Sequence, residues 1–224
     1  MEERVSAVIL AAGRGTRIGA DRNKVYVKIA SRPLLSYTLA AFAQCKRINE
    51  IILVIGPGEE SDAAKLTSGI EQGIKIVHGG TRRQDSSFAG VSACSGDIVL
   101  IHDAARPFVS SKLIARLIDA TRKHGACVPV LPVVDTIRRG ALDLPLESGT
   151  AERSRLLRMQ TPQGFSRTLI EEALSQTDND VTDDAAAVLE LGREVWTVAG
   201  EETNIKVTTR DDLVLAEMIA ASRK

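Results

Sequence analysis

Aromatic residues are scarce in this chain of 224 residues: four Phe, two Tyr and one Trp, 3% in all. Base-stacking nucleic-acid binders need such platforms, so that class is disfavoured. Neither sign of charge dominates. Twenty-nine Lys and Arg balance 29 Asp and Glu, whereas a dedicated nucleic-acid binder carries a basic excess. Any anion site must therefore come from local clustering. No apolar run reaches the ~18 residues that span a bilayer as a helix. Cysteine is limited to Cys45, Cys94 and Cys127, far apart and without a C-x-x-C pair. They read as reduced core residues rather than metal or redox groups. His78, His102 and His124 show no metal-ligand spacing. Met1-Glu2-Glu3-Arg4 leads straight into an apolar stretch and does not form a secretory signal. A cytoplasmic location is expected.

What is present is ordinary for a globular protein: 44% apolar and 26% charged residues. The length suits one compact domain with a small appendage. Short apolar runs alternate with helical patterns. Strands are predicted at Val5–Leu10, Ile51–Ile55, Ile74–Val77, Ile98–Ile101, Ala126–Leu131 and Val195–Val198. Helices are predicted to start at Ser31-x-Pro33, with Leu35, Leu39 and Phe42 on one face, and at Glu59–Ser68, Gln84–Cys94, from Ser110 or Ser111 to Gly125, near Ser166–Leu174 and near Asp183–Leu191. The last helix opens on Thr209-x-x-Asp212, a capping-box pattern, and is expected to bury Val214, Leu215, Met218 and Ile219. This order indicates an α/β, Rossmann-like, mainly parallel sheet with helices on both faces. Ligands of such sheets bind beyond the carboxyl ends of the strands. Gly13, Gly80 and Asp103 should therefore share one rim.

Between Asp135 and Gln160 the alternation weakens. Thr136–Gly140 and Arg155–Met159 are predicted to pair as a long hairpin, an arm that contains Arg138, Arg139, Arg153, Arg155 and Arg158. Such an arm suits pairing with another subunit; a disordered surface loop is the plainer reading. The division expected is a core of residues 1–134 and 158–224 with an arm at 135–157.

The strongest chemical signal is Ala11-Ala12-Gly13-Arg14-Gly15-Thr16-Arg17-Ile18-Gly19, followed by Asn23-Lys24. Glycines after a buried strand let backbone N–H groups close on phosphate oxygens. Six cations (14, 17, 22, 24, 28 and 32) face one acid, Asp21, within residues 11–32. A Walker loop is absent. Ile18 stands where a dinucleotide fingerprint needs Gly or Ala, and the strand ending at Gly56 lacks a ribose-binding acid. A nicotinamide enzyme is thereby disfavoured.

His102-Asp103-Ala104-Ala105-Arg106-Pro107 is the second signal. A carboxylate at a strand end beside a cationic phosphate loop suits a phosphate-bridging Mg²⁺. Asp103 paired to Arg106 in a plain turn is the alternative. His102 reads as structural. Thr203-Asn204-Ile205-Lys206-Val207 places a lone cation in a short apolar strand, where burial without an anion is costly. Gly79-Gly80 with Asp85-Ser86, and Met159–Phe165, are turn signals. Val181-Thr182-Asp183-Asp184 reads as a helix start capped by Thr182.

Taken together, these motifs resemble the nucleotidyltransferases that activate sugar and polyol phosphates. Among these they most resemble the 2-C-methyl-D-erythritol 4-phosphate cytidylyltransferase family, from residue 5 to about 220. The resemblance implies transfer of CMP from CTP to the polyol phosphate in isoprenoid biosynthesis, with Mg²⁺, by a homodimer whose arms embrace. It puts transition-state cations on Arg17 and Lys24. Substrate-orienting cations fall on Lys206 and Arg153, the latter reaching the partner's site. Metal and phosphate contact falls on Asp103. CTP contacts fall on Ala11, Ala12, Gly13, Gly15, Gly80, Ser86 and Ala104, and further substrate contacts on Arg106, Thr136, Thr161 and Thr182. The family often has proline where this chain has Asn23. Ribitol 5-phosphate cytidylyltransferases share the fold, loop and lysine segment. They tend to carry Val at the position of Ala105 and Ser at that of Gly164, which favours the erythritol reading. A catalytically silent nucleotide-binding scaffold is disfavoured because all the proposed cations and Asp103 are present.

Overall fold

The computed structural model describes residues 3–13, 23–149, 151–177 and 179–223. Its centre is an eight-stranded, mostly parallel sheet. β1 (Val5–Leu10) lies between β4 (Glu50–Ile55) and β6 (Ile98–Asp103), parallel to both. β5 (Ile74–His78) extends the sheet beyond β4, and β7 (Ala126–Pro132) pairs with the edge strand β10 (Trp196–Ala199), again in parallel. Each of these strands coincides with a predicted apolar run to within a residue or two.

Alternate residues of β1 serve two cores. Ala7 and Ile9 face Leu35 and Phe42 of α1 (Leu34–Ala43) and Leu113 and Leu117 of α4 (Ser111–His124). Val8 faces Val91 of α3 (Arg83–Ser92), in a core that Ile170 of α5 (Arg167–Gln176) and Ala187 of α6 (Asp184–Glu190) extend along the same face. Helices therefore cover both faces, and the central strands β1, β4 and β6 are buried on both faces and mostly apolar. α2 (Glu60–Thr67) contributes Ala63 to the first core. α4 follows its sequence signals closely. Ser110 accepts the Leu113 N–H at 3.0 Å, and Gly125 ends the helix at φ 80°. Arg122, Lys123 and His124 sit in its last turn, against the negative end of the dipole.

Several local expectations are corrected. Thr136–Gly140 forms no strand. The second half of the expected hairpin, β8 (Leu157–Met159), pairs instead with Val130–Pro132 of β7. Beyond it the arm is tied by isolated backbone contacts, such as Ala151 N–H to Ile137 O at 3.3 Å and Glu147 N–H to Arg139 O at 3.2 Å. An additional strand, β9 (Gln163–Ser166), runs antiparallel between β6 and β7 where only a turn was expected. β8 and β9 lie along β7 in succession, separated by Gln160, Thr161 and Pro162 with a cis Thr161–Pro162 peptide. Asp183, rather than Thr182, caps α6 by accepting the Ala186 N–H at 3.0 Å. Lys206 lies on an extended segment outside any ladder, held where Val207 donates to Ala105 O at 2.9 Å.

α7 (Arg210–Ser222) has the expected capping box but turns a different face inward. Ala216 and Ala220 are buried against Ile29, Leu34, Phe108 and Val207. Ile219 is half-buried, whereas Val214, Leu215 and Met218 are exposed. Small residues bring α7 close, Leu213 and Ile219 pack at its margin, and Val214, Leu215 and Met218 point away. A short hairpin, β2 (Lys28–Ile29) and β3 (Arg32–Pro33), completes this layer and takes up Ser31 to Pro33, where the helix was expected to start; α1 begins only at Leu34.

Candidate active site

β1, β5 and β6 end on the same side because their ladders are parallel and in step. Leu10 stands opposite Asp103 and Val54, and Ile55 opposite His78. Beyond these ends lies a cleft of about 740 Å³, lined in part by Ala11, Ala12, Gly13, Gly80 and Ser86. Lys24, Asp103 and Lys206 are the other expected residues among its described lining. The common rim expected from the sequence is thus present. Four cations among the described lining residues, Lys24, Arg82, Arg83 and Lys206, face a single carboxylate. A neutral chain has concentrated positive charge where an anion would enter.

Asp103 is the electrostatic centre. Lys206 Nζ lies 2.8 Å from its carboxylate, Arg83 at 3.4 Å and Arg106 Nε at 3.9 Å. Lys206, not Arg106, is therefore its nearest partner. Burial opposes ionisation of Asp103, but Arg83, Lys206 and Arg106 outweigh it and hold the carboxyl well below the usual range. Arg83 is shared: its guanidinium also meets the buried Asp184 at 2.8 Å. Burial works against that charge, and Asp184 and then Asp103 reverse the effect and raise its basicity. Arg106 is half-buried and donates to Asn204 O at 2.9 Å and Met159 O at 3.3 Å.

A chain of hydrogen bonds fixes the backbone of Asp103 from below. The Asp103 N–H donates to Thr161 Oγ1 at 3.1 Å, and Thr161 Oγ1 lies 3.0 Å from His102 Nδ1. His102 Nε2 faces the carbonyl of Arg106 at 3.0 Å. A carbonyl only accepts, so the proton of the neutral ring sits on Nε2 and Nδ1 accepts from Thr161. Burial lowers the His102 pKa to about 4, which keeps the ring neutral. Both groups are buried, so Thr161 acts here as a support for Asp103 and His102 is structural. Ala104 is buried one residue further on, its carbonyl accepting from Thr38 at 2.9 Å, while Ala105 lines the cleft.

The Lys206 segment is braced in the same way. Asn204 donates to Thr161 O at 2.8 Å, and Gln160 donates to Glu201 O at 2.8 Å while accepting the Glu201 N–H at 3.0 Å. The break between β8 and β9 thus sends Gln160 to the Glu201–Asn204 stretch ahead of Lys206, and Thr161 to Asp103. Sequence reasoning missed Arg83 and Gln160. Their partners lie far along the chain, so no local spacing marks them.

Other expected residues lie elsewhere. Thr136 and Arg153 are exposed on the arm, where Arg153 donates to Val134 O at 2.9 Å. Thr182 is exposed before α6, outside the cleft lining. Gly15 and Arg17 lie outside the described residues. Gly164, one of the two discriminating positions, faces away from the cleft. A Cβ there would fall inside contact distance of Thr121 Oγ1 and meet Leu100 Cδ2 at 3.1 Å. Its identity is set by the packing of α4 on β9.

Among the described residues no group of three or more His, Cys, Asp or Glu side chains could cage a metal. One ionised carboxylate lines the cleft. That donor set fits magnesium, which keeps several waters and is bound through one or two carboxylates plus substrate phosphates.

Comparison with known proteins agrees with this geometry. The family model described as 2-C-methyl-D-erythritol 4-phosphate cytidylyltransferase matches residues 5–222. A protein of that name from Alkaliphilus oremlandii is 39% identical over 99% of this chain and 97% of its own length. One from Clostridium perfringens is 42% identical over 96% of this chain and 97% of its own. The crystal structure of 4-diphosphocytidyl-2C-methyl-D-erythritol synthase from Anaerococcus prevotii superposes with a TM-score of 0.87 at 32% identity, covering 98% of this chain and 96% of that one. The cleft, its braced aspartate and the near full-length match lead to one conclusion: the chain belongs to the 2-C-methyl-D-erythritol 4-phosphate cytidylyltransferase family.

Proposed function

We propose that this enzyme transfers CMP from CTP to 2-C-methyl-D-erythritol 4-phosphate, giving 4-diphosphocytidyl-2-C-methyl-D-erythritol and pyrophosphate. The observation that carries the reading is the placement of Lys24 and Lys206 on the walls of one cleft around Asp103, at the carboxyl ends of the strands. A phosphate monoester is largely a dianion at pH 7, since its second pKa is ~6. It needs no general base. An oxygen of the polyol phosphate attacks the α-phosphorus of CTP, that bond forms, and the bond to pyrophosphate breaks. The protein must position two anions and relieve their repulsion.

Lys24, with Arg17, stabilises charge on the transferring phosphoryl group. Lys206 orients the attacking phosphate, and Arg153 does so from the arm of the partner protomer. Ala11, Ala12, Gly13, Gly15, Gly80 and Ser86 surround the nucleotide, with Ala104 buried behind the wall that Ala105 presents. Arg106, Thr136 and Thr182 approach the polyol phosphate, with Thr161 acting through Asp103. Asp103 and the triphosphate would hold Mg²⁺, which when bound neutralises phosphate charge and makes the α-phosphorus more electrophilic.

Residues 135–157 act as the dimerisation arm of a core formed by 1–134 and 158–224. Exposed Leu142, Leu144 and Leu146 support that role, because the arm cannot bury them itself. Among the described residues no helix is long and apolar enough to cross a membrane. The charged substrates favour a cytoplasmic enzyme.

The test is pyrophosphate release with CTP and Mg²⁺, comparing methylerythritol phosphate with ribitol 5-phosphate. Release with the former alone is expected. Release with ribitol 5-phosphate alone would overturn the choice of acceptor, and release with neither would overturn the reaction.

A further inference from the structure

The residue before Lys24 is asparagine, and its side chain makes three bonds. Nδ2 donates to the carbonyl of Ala11 at 2.6 Å and to Glu59 Oε1 at 2.8 Å, while Oδ1 accepts the Val25 N–H at 3.3 Å. The first bond draws together residues 11 and 23, on either side of the glycine-rich segment. The third caps the 3-10 turn Lys24–Tyr26. Glu59 carries the contact outward: its Oε2 accepts the Gly56 N–H at 3.0 Å and lies 3.5 Å from the Tyr26 hydroxyl. Ala11, Lys24 and Gly56 all line the cleft, whereas Asn23 and Glu59 do not. One amide and one carboxylate therefore join three cleft walls: the end of β1, the lysine turn and the end of β4.

We propose that Asn23 and Glu59 form a clamp that positions Lys24 against the reacting phosphate without touching substrate. The inference rests on the reading of Lys24 as a transition-state cation. A lysine side chain is long and flexible, so the backbone that carries it must be fixed for its charge to count. A displacement of about 1 Å at a reacting group can cost on the order of 10²-fold in rate. The bond from the Asn23 amide to the Glu59 carboxylate is charge-assisted and stronger than a neutral one.

The backbone supplies an internal control. Asn23 has φ −56° and ψ 128°, and proline holds φ near that value through its ring. The Asn23 N–H makes no backbone hydrogen bond among the described residues. Proline at 23 would fix the same backbone by covalent means and make the clamp redundant.

The experiment measures kcat, KM for CTP and Tm for N23A, N23P, E59A and the N23P/E59A double variant, with K24A as reference. N23A is expected to lower kcat by about tenfold or more while KM for CTP stays within about threefold. N23P should return kcat to within about threefold of the native value. E59A should cost about tenfold in the native background and less than about twofold in the N23P background. The clamp is refuted if N23P is no better than N23A. Equal losses from E59A in both backgrounds also refute it, since they make Glu59 a brace for α2 alone. If E59A does not fold, E59Q, which changes the acceptor for Asn23 and Gly56, is compared across the same two backgrounds with the same criterion. K24A separates this inference from the reading beneath it. Normal kcat in K24A overturns the role of Lys24, whereas a crippled K24A beside a fully active N23A overturns the clamp alone.

Discussion

The rim of the sheet and the arm both present arginines, and they hold them in opposite ways. On the rim, Arg83 is fixed between Asp103 and Asp184, and Arg106 between two backbone carbonyls. On the arm, Arg153 and Arg138 are exposed and bond to one carbonyl at its base, Val134 O, and one within it, Gly149 O. Desolvating charge on the rim is costly, but it sets the geometry within one chain before substrate arrives. The arm leaves both charge and leucines in solvent. On the proposed reading, the nucleotide half of the site is complete in one chain and the acceptor half is finished by another.

The largest test of that contrast is at Lys24. K24A should lower kcat by roughly 10²–10³, or ~2.7–4 kcal/mol, in steady-state kinetics. KM for CTP should change far less; equal effects on both would make Lys24 a binding residue. R153A should instead raise KM for the polyol phosphate by about tenfold and leave CTP binding unchanged, as expected for one lost charge-assisted contact. Loss of CTP binding in R153A would erase the division between rim and arm.

Stability provides a second axis. The folded His102 has a pKa of about 4, against ~6.5 in the unfolded chain. Between those values the unfolded state binds a proton that the folded state refuses. Stability should be full above pH ~6.5 and fall by about 3 kcal/mol as the pH drops to about 4. H102Q should remove that slope in urea titrations at several pH values. Asp103 acts lower: its ion pairs stabilise the fold above the unfolded carboxyl pKa of ~3.9 and are lost only in stronger acid.

G164S should cost about 1–3 kcal/mol by overpacking β9 against α4, with little change in KM. The smallest effect on the core is expected from replacing residues 141–149 with a short glycine linker. Unfolding should shift by less than about 0.5 kcal/mol, whereas sedimentation should show weakened self-association. A large loss of core stability would show that the arm is part of the core.

The same contrast explains what the sequence made legible. β1, β4, β6 and β7 are buried on both faces and read as continuous apolar runs, and α4 carries a serine cap, a clear 3.6-residue period and a terminal glycine. β9 has no such run. Gln163 is fully buried only because its amide donates to Asp183 at 2.9 Å and accepts the Ala185 N–H at 3.0 Å. The β2–β3 turn hid for another reason. Ala30 and Ser31 hold φ 45° and 71°, where a sequence reader looks for Asn-Gly. α7 misled because two faces satisfy one period, and the alanine face is the one that packs. Lys24, Asp103 and Lys206 were legible as charges out of place among glycines and apolar residues. Arg83 and Glu59 were not, since their work depends on partners that only folding brings near.

Pro132 and Leu157 are opposite each other in the last rung between β7 and β8. The arm therefore leaves and re-enters the core through a single seam. Changing the length between these points costs only about 0.6 kcal/mol per doubling in chain entropy. Descendants of such a protein could exchange the whole arm, and with it the acceptor they recognise, while the nucleotide chemistry passed on unaltered.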